Sequence, residues 1–229
     1  MIRRLIILLL IVGCDNSTNP VVCEEGFTNV NNVCQLCNEG YTEIDSLCYY
    51  QDDLDVLQQF IDNSQGGDNP PPSDLLPIDL GDVQEWEDGR LIRFRCMLYN
   101  HLEYGYELSG GIPQQIGSLT KLYLLDLSRN KLNGIIPAEI GDLLELNSLK
   151  LYSNELNGEI PPEVSNLVNL EWFYLHHNEL SGHIPESICN LNIDFSSTPN
   201  FGIKDNNLCP PYPSCIEQYV GEQDTSNCH

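Results

Sequence analysis

Residues 146–169 read LNSLKLYSNELNGEIPPEVSNLVN. The stretch before it, LYLLDLSRNKLNGIIPAEIGDLLE at 122–145, and the stretch after it, LEWFYLHHNELSGHIPESICNLNI at 170–193, repeat it at a spacing of 24 residues. Leu122, Leu146 and Leu170 share a column, and so do Leu125, Leu149 and Phe173, then Leu127, Leu151 and Leu175. Asn130, Asn154 and Asn178 follow in step, then Gly134, Gly158 and Gly182, then the pairs Ile136-Pro137, Ile160-Pro161 and Ile184-Pro185. A unit this short cannot bury its apolar face alone, so neighbouring units must stack into one shared core.

The chemistry of each column says where it sits. In Leu-x-x-Leu-x-Leu the alternate residues of a short strand point inward, and the residues between them point out. Successive strands then line up as one parallel sheet. The Asn column turns inward, where its amide can satisfy backbone groups of the next coil that burial would leave unpaired. The Ile-Pro pair begins the return path, because Pro cannot donate to a sheet ladder.

The pattern LxxLxLxxNxLxGxIPxxIxxLxx resembles the plant-type leucine-rich repeat of receptor-kinase ectodomains and polygalacturonase inhibitors, over roughly residues 81–228. That resemblance implies an α/β solenoid: a short right-handed coil with a parallel β-sheet on the concave face, capped at both ends. Four repeats are expected over 81–192, the first degenerate. In it Leu91, Phe94 and Cys96 occupy the inward columns, and the next Gly-Ile-Pro marker arrives seven residues late. The extra stretch lies within Tyr99–Leu108 and holds Tyr99, His101, Tyr104 and Tyr106, a candidate binding loop. Trp86 stands in the cap position of the family pattern, and the amphipathic segment 49–63 resembles the cap helix, here followed by a Gly/Pro linker at 64–80. Asp52 and Asp53 suit that helix's N-terminus. Residues 193–229 are expected to form an irregular last repeat and a C-terminal cap in which NNLCPPYPSC, 206–215, resembles the family's closing motif.

Upstream, CEEGFTNVNNVC at 23–34 is duplicated as CNEGYTEIDSLC at 37–48. The pattern resembles the last disulfide loop of an EGF-like module and implies a small disulfide-rich β-hairpin module over 23–48, with pairs Cys23–Cys34 and Cys37–Cys48. The rival reading of Cys34-Gln-Leu-Cys37 as a metal or redox site lacks both the second Cys pair of a zinc ribbon and a βαβ setting. At the other end, Cys189, Cys209, Cys215 and Cys228 allow three connectivities. The family resemblance implies Cys209–Cys215, which leaves Cys189–Cys228. Cys96, in an inward column, reads as a buried free thiol.

The chain opens MIRRLIILLLIVGC. Its apolar run is far shorter than the roughly 20 residues that span a bilayer, so 1–13 reads as a signal peptide. Ile11-Val12-Gly13-Cys14 resembles the lipobox of bacterial lipoproteins, which implies lipidation of Cys14 and a polar tether over 14–22. The expected location is extracytoplasmic, on the bacterial cell envelope or surface, with the membrane reached through the N-terminal lipid alone.

Composition narrows the function. The chain of 229 residues carries 10 Lys+Arg against 34 Asp+Glu, a formal charge of −24. That leaves too few cations for a nucleic-acid face. The sequence contains no nucleophile elbow, zinc-protease helix or phosphate loop. The reading is non-enzymatic, with no cofactor and no metal. Binding is expected on the concave sheet, at Arg93, Arg95, Lys150, Tyr152, Trp172, Tyr174 and His176. The aromatic members are favoured anchors, and the cations suit a partner with anionic groups. The partner class is a protein; the alternatives are a glycan stacked on the aromatics, or a structural envelope spacer.

Overall fold

The computed structural model describes residues 28–30, 33–35, 37–45, 47–97, 106–196 and 200–228. The chain divides into two compact units, Met1–Glu39 and Gly40–His229. In the first, Thr28–Val30 and Val33–Gln35 pair as an antiparallel hairpin.

The second unit is a stack of coils. Its long sheet has six strands: Val83–Glu87, Arg90–Arg95, Leu124–Asp126, Ser148–Lys150, Trp172–Tyr174 and Phe201–Gly202. The last five run parallel, and Val83–Glu87 folds back antiparallel on the first of them. A second sheet carries the return paths, from Ser109–Gly111 to Asn207–Cys209. Short 3-10 turns such as Ala138–Asp142 and Pro162–Asn166 follow each Ile-Pro pair. The repeat columns fill the interior: Leu122, Leu146, Leu170, Leu149, Phe173, Leu151 and Leu175 are fully buried. At roughly 25 cal/mol per Å² of apolar area, each such side chain contributes about 1.5–3 kcal/mol.

The Asn column closes the backbone ledger between coils. The amide of Asn154 donates to the carbonyls of Leu127 and Leu151, both at 3.0 Å, and its Oδ1 accepts from the Leu132 N–H at 3.1 Å. Asn178 does the same one coil on, and Asn206 one coil further. The series ends on Gln223, which donates to Ile203 and Val220 and accepts from the Leu208 N–H at 3.2 Å. The longer amide spans the gap to a chain end returning from outside the period.

The N-terminal cap is larger than its sequence suggests. The 23–48 module expected as one body is divided, because its second hairpin, Tyr41–Ile44 with Leu47–Tyr50, lies in the second unit. Tyr50 donates its N–H to the Gly89 carbonyl at 2.7 Å, and Tyr49 packs edge-on to Trp86 at 4.9 Å. Gly89 has φ +73°, and a Cβ there would collide with the Cys48 carbonyl. The helix Gln51–Asn63 buries Leu54, Val56, Leu57, Phe60 and Ile61 against the first coil. Asp53 does not cap that helix: its carboxylate is fully buried and takes Arg90 at 2.9 and 3.1 Å and the Leu91 N–H at 2.8 Å. Residues 64–80, read as a linker, belong to the cap. Ser64 exchanges hydrogen bonds with Ser109, Gln65 donates to Ile61 and Pro71, and Leu80 is buried.

The C-terminal disulfides correct the expected pairing. Cys189 joins Cys215 and Cys209 joins Cys228, with Cα separations of 5.8 and 5.5 Å. Burial decides it. Ile216 and Val220 enter the core under the last coil, which sets Cys215 against Cys189, next to buried Ile188. The tail then returns alongside Asp205 and Asn206, through bonds from Asp205 to Glu222 and from Asp224 to Asn206, and brings Cys228 to Cys209. Cys37 and Cys48 are each disulfide-bonded. Cys96 is buried and free, and burial, then Asp82, pushes its thiol up to about 12.

Candidate functional site

The outer face of the long sheet gathers the candidate residues in rows. Strand register sets Arg93, Leu124, Ser148 and Trp172 side by side, and next to them Arg95, Asp126, Lys150, Tyr174 and Gly202. One step beyond the strands, Ser128 donates to Met97 Sδ at 3.3 Å, and the Tyr152 hydroxyl lies 3.8 Å from the same sulfur. His176 completes this third row.

The aromatic members touch. Tyr152 and His176 stack nearly parallel, with centroids 4.6 Å apart and planes 5° off. Tyr174 meets both edge-on, at 6.4 and 5.9 Å. Trp172 stands at the rim, 36% exposed, and Tyr123 lies at the start of its strand, 44% exposed. Between Leu124 and Trp172 the small, buried Ser148 leaves a notch in the first row. Gly202 makes room for the cluster: a Cβ there would stand 3.0 Å from His176 Nδ1 and 3.3 Å from Tyr174. That nitrogen is buried and meets no hydrogen-bond partner of good geometry. Burial chiefly, then His177 and Lys204, lowers the His176 pKa. Burial, then Tyr152, raises that of the Tyr174 hydroxyl.

The expected cations are on this face but already engaged. Arg93 pairs with Glu85 at 3.4 Å, Arg95 with Asp82 at 2.8 Å, and Lys150 with buried Asp126 at 3.9 Å. Asp82 and Glu85 come from the antiparallel cap strand and its lead-in, which the 24-residue period does not include. Of the candidate loop, Tyr106 is half-buried beside Glu107, whose N–H reaches Asn69. Tyr99, His101 and Tyr104 lie outside the described residues, as do Cys14, Cys23 and the signal segment. Met97 and Gly202 escaped the sequence reading. Met97 was legible by carrying the row register one coil back from Ser128; Gly202 was not, because its coil leaves the period.

A family model described as Leucine Rich Repeat matches residues 121–143, 145–167 and 169–191. These three units are leucine-rich repeats. The remaining coils share the ladder and the sheet without matching the model. Among solved structures, the chain is similar to the BIR3–SERK2 complex from Arabidopsis thaliana: 24% identity over 74% of this chain and 91% of that one, with a TM-score of 0.53. It is also similar to the BIR2 ectodomain from Arabidopsis thaliana, at 33% identity, 57% and 64% coverage and a TM-score of 0.46. A third is the Arabidopsis receptor kinase HAESA in complex with the peptide hormone IDA and the co-receptor SERK1, at 31% identity, 57% and 21% coverage and a TM-score of 0.47. The chain spans about a fifth of the length of a TDR receptor that it also matches. No curated protein matches it. The disulfides fit an oxidising, extracytoplasmic compartment. Among the described residues no helix is long and apolar enough to cross a membrane, and no side-chain group could hold a metal ion.

Proposed function

We propose that this chain is a non-enzymatic, extracytoplasmic binding module that takes a protein partner on the outer face of its long sheet. On this reading it is held at the membrane by a lipid on Cys14. The observation that carries the proposal is the contiguous cluster of Tyr152, Tyr174 and His176, flanked by Met97, with Trp172 at its rim. Rigid aromatics on a stiff sheet give large contact area at little entropic cost. A soluble surface gains nothing from holding them together without a ligand.

The ring geometry favours protein over glycan. Sugar stacking needs an open aromatic face, and here Tyr152 and His176 spend faces on each other while Tyr174 stands edge-on to both. What the cluster presents is a mixed, ridged surface, with the notch over Ser148 beside it, which suits side chains.

The test is a comparative pull-down from the organism's own surface extract, with the soluble form lacking residues 1–14, beside a glycan array. The proposal expects a protein that is captured by the wild type and lost with Tyr152→Ala and with Trp172→Ala, at unchanged melting temperature. Capture that ignores both substitutions contradicts it. A glycan bound on the array and lost with the same variants replaces it by the glycan reading.

A further inference from the structure

Every described lysine and arginine but one has a carboxylate partner among the described residues, from Lys121 with Glu145 at 2.5 Å to Lys150 with Asp126 at 3.9 Å. The exception is Arg129, which is exposed. In a chain with 34 acidic residues against 10 basic ones, a cation left without a carboxylate is the unexpected case. It is also placed where it matters. The Arg129 N–H donates to the Tyr152 carbonyl at 2.9 Å, and its guanidinium lies 6.0 Å from the Tyr152 ring centre. Tyr152 is the ring stacked on His176.

The backbone explains the position. Arg129, Ser153 and His177 hold equivalent places in successive coils, at φ +58°, +56° and +56°. Strands about 4.8 Å apart make these a row along the lip of the sheet. His177 is matched by Asp205, the next member of the row at φ +54°, at 3.1 Å. Ser153, in the middle, is small and half-buried. Arg129, at the other end of the row, has no counter-charge among the described residues.

We propose that the partner contributes a carboxylate side chain that pairs with Arg129, next to an apolar side chain seated on Tyr152, Tyr174 and His176. This rests on the outer face being the partner surface, and it names the chemistry of the segment that docks there: acidic and apolar residues side by side. A planar guanidinium presents a fork of donors that fits a carboxylate in two bonds, and the neighbouring aromatic ring shields the pair from water. Arg93, Arg95 and Lys150 are poorer candidates for this role, because a partner would have to displace the carboxylates they already hold.

The bulk charge of the chain makes the experiment discriminating. At −24 it repels acidic peptides in general, so selection for acidic residues must come from a local site. A displayed random-peptide library is panned on the soluble chain, and the enriched peptides are titrated against wild type, Arg129→Gln, Arg129→Lys, Tyr152→Ala and, as a control, Lys121→Gln. The expected result is enrichment of Asp or Glu beside aromatic or aliphatic residues. Arg129→Gln should then weaken those peptides by roughly tenfold and flatten their salt dependence, with Arg129→Lys in between and Lys121→Gln unchanged. Peptides that depend on Tyr152 yet show no acidic preference, and bind Arg129→Gln like wild type, overturn this proposal and leave the outer-face reading standing. Peptides indifferent to Tyr152→Ala overturn both. Thermal melts of each variant separate lost binding from lost folding.

Discussion

The carboxylate of Asp53, fully buried, holds the Arg90 guanidinium through two bonds at 2.9 and 3.1 Å. The same carboxylate takes the Leu91 N–H at 2.8 Å, and Arg90 reaches on to the Ser118 carbonyl at 3.1 Å. One ion pair thus joins the cap helix to the first strand and to the return path of the first coil. Removing one partner of a buried pair strands the other, at a cost of about 3–5 kcal/mol. Asp53→Ala should lower the urea midpoint accordingly. A shift no larger than that of an exposed carboxylate such as Asp62→Ala would show that the pair is incidental.

The amide ladder predicts a matched pair of losses. Asn154→Ala and Gln223→Ala each orphan buried backbone groups, and each should cost about 1–3 kcal/mol in thermal unfolding. Glu155→Ala, on the exposed position next to Asn154, should be near neutral, since its pair with Lys131 at 3.4 Å is solvent-screened. A neutral Gln223→Ala beside a damaging Asn154→Ala would remove Gln223 from the ladder.

Peptide mapping of the unreduced chain should recover Cys189–Cys215 and Cys209–Cys228. Cys96 should resist alkylation in the folded chain and react once it unfolds, because burial holds its thiol protonated. Recovery of Cys209–Cys215 would contradict the arrangement of the C-terminal cap.

His176 carries a pH signature. Its folded pKa lies below the unfolded value of about 6.5, so between the two values the unfolded chain binds the extra proton. Its contribution is absent above the unfolded pKa and becomes destabilising as pH falls through it, levelling off below the folded pKa. The stability of wild type minus that of His176→Phe should therefore decline on acidification from neutral pH. A difference that is flat with pH, or that rises, would mean the ring is not desolvated as described.

The repeat columns made most of the fold legible, because burial imposes the same residue at the same step in every coil. The rows containing Tyr152, Trp172 and Tyr174 followed from that register. What lay outside the period was harder to read. Asp82 and Glu85 neutralise Arg95 and Arg93 from a strand that runs against the repeat. Asp53, placed at a helix N-terminus where it looks like a dipole partner, serves a residue 37 positions away. The disulfide pairing depends on which way Ile216 and Val220 turn to find the core, which spacing between cysteines does not encode. Gln223 does the work of an Asn because the tail it sits on returns from beyond the last coil.

On the proposed function, partners meet the outer face of the long sheet. Hydroxyl-radical footprinting of the chain alone and with its captured partner tests it most directly, because Trp172 and Tyr219 are comparably exposed, at 36% and 39%, and lie on different parts of the molecule. Trp172 and Tyr152 should be protected in the complex, with Tyr219 oxidised as before. Protection of Tyr219, with Trp172 and Tyr152 oxidised at the rate of the free chain, would contradict it.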